Sequence, residues 1–361
     1  MALANSSYRS LPLLGDDEHT LNLAWTLDER ELLDVDIPAL LRAELTAEAT
    51  TLAATDTYLV KDPHGSAALG PVVSALFDRH DWACGVVCAA GVNSLLQAVA
   101  ALAPGGNTYV VGEVYPDLPH WVRRLGGELV TADDHLRGVR ESRPRLVSLD
   151  RPSATGTAFD DLHDLRELCA EAARHGAVVV VDESYANYRP LGFSAVTIAD
   201  QVDNLVVFRG LSKGYWLGGI RLAYCVSSPA LTGVVTGFVP PMLASSISLR
   251  LGAAVLRLGD VTTRLRARIA EVAPQVVALA ERAGLPAPLR GGSGMPHLHF
   301  AEDLGKDLGT VGILGKSQPF WSARDGGPVD RYRLSLPLRP ARLAELERRL
   351  VGRPADTVAS T

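Results

Sequence analysis

The feature that most constrains the fold is an alternation, over residues 89–226, between short β-branched runs and longer amphipathic runs. This pattern is typical of a mainly parallel sheet lying between helices, which indicates the α/β class. Residues 178–181 are four consecutive valines, as expected of a strand that is covered on both faces. The predicted strands are residues 108–111, 145–149, 177–182, 204–208 and 222–226.

Outside this region the pattern changes. Residues 89–226 contain a predicted apolar helix at 94–102 and a predicted amphipathic helix at 160–175, whereas beyond residue 240 long helical patterns dominate, such as 262–283. A Gly/Pro-rich stretch, a short strand at 297–301 and a last helix at 340–350 follow. We therefore expect a large domain over residues 56–238 and a smaller α+β domain built from both termini, residues 1–55 and 239–361.

Composition excludes several functional classes. The 361 residues include 35 Lys and Arg against 41 Asp and Glu, a net charge of −6, so the basic footprint of a nucleic-acid-binding protein is missing. The start of the chain does not resemble a signal peptide, and no apolar run approaches the length of a membrane span. We expect a cytoplasmic protein without nucleic-acid or membrane partners.

The four cysteines are too few and too scattered for a disulfide framework. Cys84 and Cys88 are four residues apart, but neither a second pair nor a nearby histidine completes a zinc site. We therefore predict buried, reduced thiols and no metal.

The segment from Val178 to Tyr188 reads VVVVDESYANY, a buried strand followed by polar residues. Because open α/β sheets bind ligands at the carboxyl ends of their strands, Asp182 and Tyr185 are candidate site residues. The alternative for Asp182 is a structural role in which its carboxylate caps the turn that follows.

A second segment combines a strand with a lysine. After the run VVFRG come Ser212, Lys213 and Gly214, and Arg221 lies eight residues beyond the lysine. A lysine at a strand end is partly desolvated and suited to forming a Schiff base. A single lysine is more often a surface residue, so the prediction depends on the two segments together.

These two segments, D-E-S-Y and then S-K-x7-R about thirty residues later, resemble the fold-type I pyridoxal-phosphate (PLP) enzymes. Among these enzymes the chain is most similar to the class I/II aminotransferases, in the branch of histidinol-phosphate aminotransferase and threonine-phosphate decarboxylase, over residues 58–340. The resemblance implies that Lys213 holds the cofactor as an aldimine and that Asp182 pairs with its pyridinium nitrogen. It implies that Tyr185 bonds the phenolic oxygen and that Arg221 and Ser212 bind the phosphate.

Further cofactor residues follow from the same resemblance. Ala90, Gly91 and Val92 precede an apolar helix and match the family's phosphate-binding turn, although any strand-to-helix turn can carry a glycine. Tyr115 matches the aromatic residue that stacks on the cofactor, its alternative being an ordinary core tyrosine. Tyr58 resembles the tyrosine that reaches the phosphate from the neighbouring subunit, which implies a homodimer with shared active sites.

Near the C-terminus, the stretch DRYRLSLP resembles the family's strand that carries the arginine for the substrate carboxylate. We assign this role to Arg333, because guanidinium suits two-point recognition of a carboxylate. Arg331 has the same strand parity, so the assignment rests on the motif. His297 and His299 also share parity, but without a third ligand they indicate a structural pair.

The chain departs from the family pattern at several positions. Ser153, in the segment DRPSATGT, stands where the family has an asparagine that also bonds the phenolic oxygen. Gly210 replaces a hydroxyl residue at the phosphate, a loss for which Arg209 is a candidate substitute. The segment 21–33 lacks the family's Asn-Glu-Asn-Pro stretch. Trp25, Trp216 and Lys316 are candidate pocket residues, although a structural or surface position is the more common one for each of them.

The sequence thus predicts a PLP-dependent aminotransferase that converts an amino acid to a 2-oxo acid through a Lys213 aldimine. The alternative is another PLP-dependent reaction on a specialised amino acid: elimination, cyclisation or decarboxylation. A cofactor-binding regulator or an inactive family member is a third possibility. A regulator would need a DNA-binding domain, for which there is no room before Tyr58.

Overall fold

The computed structural model describes residues 15–55, 61–156, 159–289 and 294–351. Its strands are β1 (Leu21–Asn22), β2 (Gly85–Ala89), β3 (Asn107–Val110), β4 (Glu113–Val114), β5 (Glu128–Val130), β6 (Leu146–Asp150), β7 (Val178–Asp182), β8 (Leu205–Gly210), β9 (Ala223–Ser227), β10 (His297–Phe300), β11 (Ile313–Leu314), β12 (Lys316–Ser322) and β13 (Gly327–Ser335). Its helices are α1 (Ile37–Thr46), α2 (Glu48–Thr55), α3 (Ser66–Leu76), α4 (Val92–Ala100), α5 (Asp117–Arg124), α6 (His135–Ser142), α7 (Leu162–Ala173), α8 (Thr232–Phe238), α9 (Ser246–Leu256), α10 (Thr263–Arg282), α11 (Gly305–Gly309) and α12 (Pro340–Val351).

The largest sheet has the order β2-β9-β8-β7-β6-β3-β5 across the described residues. Strands β8, β7, β6, β3 and β5 run parallel, and β9 is antiparallel to both of its neighbours. The side chains of β7 alternate between two cores: Val179 and Val181 pack in one apolar cluster and Val180 in the other. The sheet is therefore covered on both faces, and the predicted α/β class is confirmed.

The five predicted strands are confirmed to within two residues at each end, as are the helices α7, α10 and α12. Asp161 caps α7, because its carboxylate accepts the backbone N–H of His163 at 2.6 Å. The interpretation missed β2, which is buried throughout. Its partner β9 lies more than 130 residues further along the chain, so local pattern gives it little support.

A second sheet has the order β10-β13-β12-β4 in the described part of the chain. Its strand β4 comes from the region between β3 and α5, and Trp321 of β12 pairs there with Val114. The predicted large and small domains therefore share a sheet. The boundaries proposed for the three segments remain a prediction.

The N-terminal segment is attached to the C-terminal helix. Arg342 of α12 forms ion pairs with Asp16 at 2.7 Å and with the buried Asp28 at 3.0 Å, and it also donates to the carbonyl of Asn22. These bonds fix residues 16–28 against α12 and so set the path of the chain that leads to Trp25 and Arg30. Among the helices described, none combines the length and hydropathy that a bilayer crossing requires.

Candidate active site

A cavity of about 670 Å³ lies where β6, β7 and β8 end. Parallel strands bring their carboxyl ends to one edge of the sheet, so residues distant in sequence meet there. The predicted site residues that line the cavity are Val92, Tyr115, Asp182, Tyr185, Ser212, Lys213, Arg221 and Arg333. The volume lies within the range of small-molecule and cofactor sites.

Asp182 is the last residue of β7 and is 8% exposed. Its carboxylate accepts the backbone N–H of Ser184 at 2.8 Å, so it does support the turn that follows, as the structural alternative required. Burial raises the pKa of Asp182, although the bonds from Ser184 and the positive charge of Lys213 act in the opposite direction. A carboxyl of this kind is stabilised in its charged form by a cation bound in the cavity.

Lys213 and Tyr185 are in direct contact. The Nζ atom of Lys213 lies 3.6 Å from the centroid of the Tyr185 ring. Burial disfavours the ionised phenol, but Lys213 and Arg333 outweigh it and lower the pKa of Tyr185 below its ordinary value. The backbone around Lys213 is held in place as well, because the side-chain amide of Asn187 donates to the carbonyls of Gly210 and Lys213 at 2.8 Å.

The turn between β2 and α4 meets Arg221. The Arg221 guanidinium donates to the carbonyls of Ala90 and Gly218, at 3.3 Å in each case. Gly91 has φ of +97°, and a Cβ atom there would lie 2.4 Å from the Arg221 guanidinium. Val92 lines the cavity, whereas Ala90 and Gly91 are not among its lining residues. The glycine therefore leaves room for the arginine beside the N-terminus of α4, where backbone N–H groups favour an anion.

Arg333 and Arg331 differ although both lie on β13. Arg331 forms an ion pair with Glu113 of β4. Arg333 is buried and bonds to the neutral side chains of Gln318 and Ser335, at 3.4 and 3.2 Å, and its Nε atom has no partner. No carboxylate in the described ranges lies within ion-pair distance of Arg333, so this buried cation can accept an anionic ligand.

Two predicted roles find no support in the geometry. Ser153 does not line the cavity: its short hydroxyl turns back and accepts the backbone N–H of Thr155 at 3.3 Å. Arg209 does not replace the missing hydroxyl at Gly210, because strand alternation points its side chain to the opposite face of the sheet. There it pairs with Glu183 at 2.8 Å. Tyr58 lies outside the described residues.

The three additional pocket candidates all line the cavity. Lys316 lies with its Nζ atom 4.9 Å from the centroid of the Trp25 ring. Burial, together with the charges of Arg333 and Lys213, lowers the pKa of Lys316 to about 6. Trp216 has φ of +59°, and the guanidinium of Arg30 lies 5.7 Å from its ring centroid. Arg30 therefore joins the cavity from the N-terminal segment.

The N-terminal segment also contributes a buried acid, Glu29, next to Arg30. Glu29 is 1% exposed and accepts the hydroxyl of Tyr188, a lining residue, at 2.7 Å. Burial raises the pKa of Glu29 to about 7, opposed by its hydrogen bonds and by the charges of Arg333 and Lys213. The sequence interpretation did not identify Glu29, because its position in a non-helical acidic segment gives no sign of burial.

His297 and His299 are packed as a ring pair, with centroids 4.8 Å apart. The His297 ring also meets Tyr185 edge to face at 5.0 Å. Burial and the nearby Arg333 charge lower the pKa of His297 well below its ordinary value and that of His299 to about 3. Both rings are therefore neutral near pH 7, and the contacts agree with the predicted structural pair.

Asp150 also lines the cavity and was not predicted as a site residue. It is the last residue of β6, it stands in register with Asp182 on β7, and its carboxylate accepts the backbone N–H of Tyr115 at 2.8 Å. Its position at the end of a buried strand is the signal that could have identified it.

Comparison with known proteins agrees with this geometry. The family described as Aminotransferase class I and II matches residues 27–298 of this chain. Histidinol-phosphate aminotransferase 3 of Burkholderia lata is 32% identical over 213 residues, which cover 54% of this chain and 55% of that protein. The chain spans 35% to 58% of the length of the curated relatives that it matches.

Solved structures of similar proteins share the fold. The histidinol-phosphate aminotransferase from Clostridium acetobutylicum superposes with a TM-score of 0.71 at 13% identity, covering 92% of this chain and 98% of that one. The enzyme of the same name from Sinorhizobium meliloti, solved in complex with pyridoxal-5'-phosphate, gives a TM-score of 0.62 at 20% identity, covering 91% and 97%. The predicted fold type is thereby confirmed. Because the family match extends over most of the sequence, this chain belongs to the class I and II aminotransferase family.

Proposed function

We propose that this protein is a PLP-dependent aminotransferase that converts an amino acid with a free α-carboxylate into the corresponding 2-oxo acid. One observation carries the proposal: Lys213, Asp182, Tyr185, Arg221 and Arg333 surround a single cavity of about 670 Å³. Family membership supports the same reaction class.

The residues of the cavity fit PLP by their chemistry. Lys213 offers an amine for a covalent link to the aldehyde, and Asp182 a buried carboxyl for the protonated ring nitrogen. Arg221 and Ser212, beside the N-terminus of α4, offer donors for the phosphate. The room that Gly91 leaves for the Arg221 guanidinium is an independent sign of fit, because any other side chain would displace it.

When bound, PLP supplies an electron sink for the carbanion that forms at the substrate α-carbon. The protein supplies the orientation and the proton transfer. Arg333 would bind the substrate α-carboxylate through two parallel N–H···O bonds and so orient the α-hydrogen. The Nζ atom of Lys213 would act as the base that accepts the α-proton, and the resulting ammonium would act as the acid that donates a proton within the same half-reaction.

Tyr185 would hydrogen-bond the phenolic oxygen of the ring. Because Lys213 and Arg333 lower its pKa, its hydroxyl is a better donor than an ordinary tyrosine. Tyr115 would stack on the ring, with its backbone held by Asp150. The indole rings of Trp25 and Trp216 would narrow the cavity on the substrate side.

We also propose that the protein works as a homodimer whose active sites contain residues from both subunits. Its support is a set of exposed apolar side chains, which include Val234, Phe238, Met242 and Ile247, each 36% to 46% exposed. They lie on α8, on α9 and between them, and Ser248 of α9 bonds to the carbonyl of Ile220 at 2.8 Å, beside Arg221. Several exposed apolar side chains within one segment of the chain favour a protein interface.

Borohydride reduction tests the covalent link. We expect protein prepared with PLP to absorb visible light and, after reduction, to carry a mass adduct on the peptide that contains Lys213. The Lys213→Ala variant should lose both signals, whereas Lys306→Ala, at an exposed residue of α11, should keep them. Colourless protein without an adduct would overturn the proposal.

The reaction class is tested by supplying amino acids with and without 2-oxoglutarate. Transamination requires that continued formation of the 2-oxo product depends on the acceptor, since the amine form of the cofactor must be reconverted. Steady product formation without any 2-oxo acid would indicate elimination, cyclisation or decarboxylation instead.

A further inference from the structure

Two carboxyls, not one, face the cavity from the sheet. Asp150 ends β6 and Asp182 ends β7, and the two residues are register partners in a parallel pair. Neighbouring strands lie about 4.8 Å apart, and side chains at paired positions point to the same face. Both residues line the cavity. Two carboxylates so close in a buried site cannot both ionise without a strong penalty.

The surroundings of the pair are not symmetric. Asp182 accepts the backbone N–H of Ser184, and Lys213 favours its charged form. Asp150 accepts the backbone N–H of Tyr115 with Oδ2, which leaves Oδ1 able to carry a proton. The next acid, Glu183, points to the other face of β7, where Arg151 and Arg209 neutralise it.

The electrostatic surroundings of the two carboxyls support the same assignment. Burial raises the pKa of Asp150 well above its ordinary value, and the charge of Asp182 adds to this rise, while the bond from Tyr115 and the charge of Lys213 reduce it. The larger rise at Asp150 makes it the member of the pair that is protonated more readily. Lys213 is the nearby cation for both carboxyls.

We propose that Asp150 is a positioning residue that holds one proton and donates it in a hydrogen bond to Asp182, so that Asp182 is the ionised carboxyl presented to the ring nitrogen of PLP. The inference rests on the proposed function, because it gives the cofactor its counter-ion. It predicts that a neutral hydrogen-bond donor at position 150 is sufficient for normal PLP binding. It also predicts that residue 150 affects PLP binding only when Asp182 is present.

The first experiment measures the dissociation constant of PLP in a set of variants. We expect Asp150→Ala to weaken PLP binding roughly tenfold, as loss of a hydrogen bond to a charged group does, and Asp150→Asn to stay within about twofold of wild type. In an Asp182→Asn background, Asp150→Ala should change the constant less than about twofold. Asp134→Asn is the control, since Asp134 also accepts a backbone N–H but caps the exposed end of α6.

Two outcomes of this set would overturn the proposal. Equal weakening by Asp150→Ala in both backgrounds would mean that Asp150 acts on the Tyr115 backbone alone. Weakening by Asp150→Asn as strong as that by Asp150→Ala would mean that position 150 must be ionised.

The second experiment uses the apoprotein and does not depend on PLP. A carboxyl whose pKa is raised on folding contributes stability that is lost as pH rises from about 4 through its folded pKa. Asp150→Asn should flatten this loss of stability. Asp182→Asn should change the pH profile of the Asp150→Asn variant less than it changes the profile of the wild-type protein. If the effects of the two substitutions on the pH dependence of stability are strictly additive, the two carboxyls do not share a proton and the proposal is wrong. If wild-type protein fails to bind PLP while the profiles are coupled, the proposed function fails and the carboxyl pair stands.

Discussion

At the scale of single residues, the partner of each arginine decides what it can do. Arg331 and Arg333 are two positions apart on β13 and have the same side-chain parity. Glu113 neutralises Arg331, whereas no carboxylate in the described residues pairs with Arg333. A buried guanidinium with an unpartnered Nε is poorly satisfied until an anion arrives.

This contrast gives a prediction for the pair. Arg333→Lys removes two-point recognition of the α-carboxylate, and we expect kcat/KM to fall roughly 10- to 100-fold, as for loss of a charge-assisted hydrogen bond. Arg331→Lys, on the same strand, is the matched control and should change kcat/KM less than about threefold. Steady-state kinetics with one amino acid measures both variants. Equal losses would contradict the assignment of the carboxylate to Arg333.

At the scale of elements, the site depends on strand ends and on the turns that follow them. The turn from β2 to α4 and the turn before β9 approach each other, with Gly91 in one and Arg221 in the other. Both residues have positive φ, +97° and +50°. For a non-glycine residue such a conformation costs about 1–3 kcal/mol and persists where the surrounding structure enforces it.

Gly91→Ala should therefore disrupt the anion site. The new Cβ would overlap the Arg221 guanidinium, which must shift from its present position. We expect PLP binding to weaken at least tenfold and the free energy of unfolding to fall by about 1–3 kcal/mol. The control is Gly105→Ala, because Gly105 also has positive φ (+63°) but an added Cβ meets no atom within 4 Å. If both variants bind PLP equally well, Arg221 does not hold the phosphate.

At the scale of the whole molecule, the chain termini and the sheet ends meet around one cavity. Residues 16–28 are attached to α12 through Arg342, and Trp25 and Arg30 reach the cavity from that attachment. The second sheet contributes Lys316, Gln318 and Arg333 from β12 and β13. The lining of the cavity thus combines residues from the N-terminal segment, the main sheet and the second sheet.

The proposed dimer is a whole-molecule prediction. We expect light scattering to give twice the mass of one chain for the wild-type protein. Phe238→Asp replaces a 42% exposed apolar ring of α8 by a charge, and it should shift the protein toward monomer and reduce activity. Leu125→Asp, at a 40% exposed side chain after α5, should leave the mass unchanged. A monomeric wild-type protein with full activity would contradict shared active sites.

The strand and helix pattern of residues 89–226 could be predicted from the sequence because it depends on local periodicity. Runs such as residues 178–181 are apolar over a strand length, and the polar residues that end them mark the edge where ligands bind. Asp182, Tyr185, Lys213 and Arg221 were identified in this way and by motif, and all four line one cavity. Their roles toward PLP remain proposals.

Other features depended on the tertiary structure, because long-range pairing leaves no local signal. The register of β6 with β7 is what makes Asp150 a partner of Asp182, and the β4–β12 pairing is what brings Glu113 to Arg331. Side-chain direction was also decided by the tertiary structure. Ser153 accepts the backbone N–H of Thr155, and Arg209 points to the face of the sheet where Glu183 lies. Spacing along the chain determined which residues could carry the chemistry. Burial and charge pairing in three dimensions decided which of them are available to a ligand.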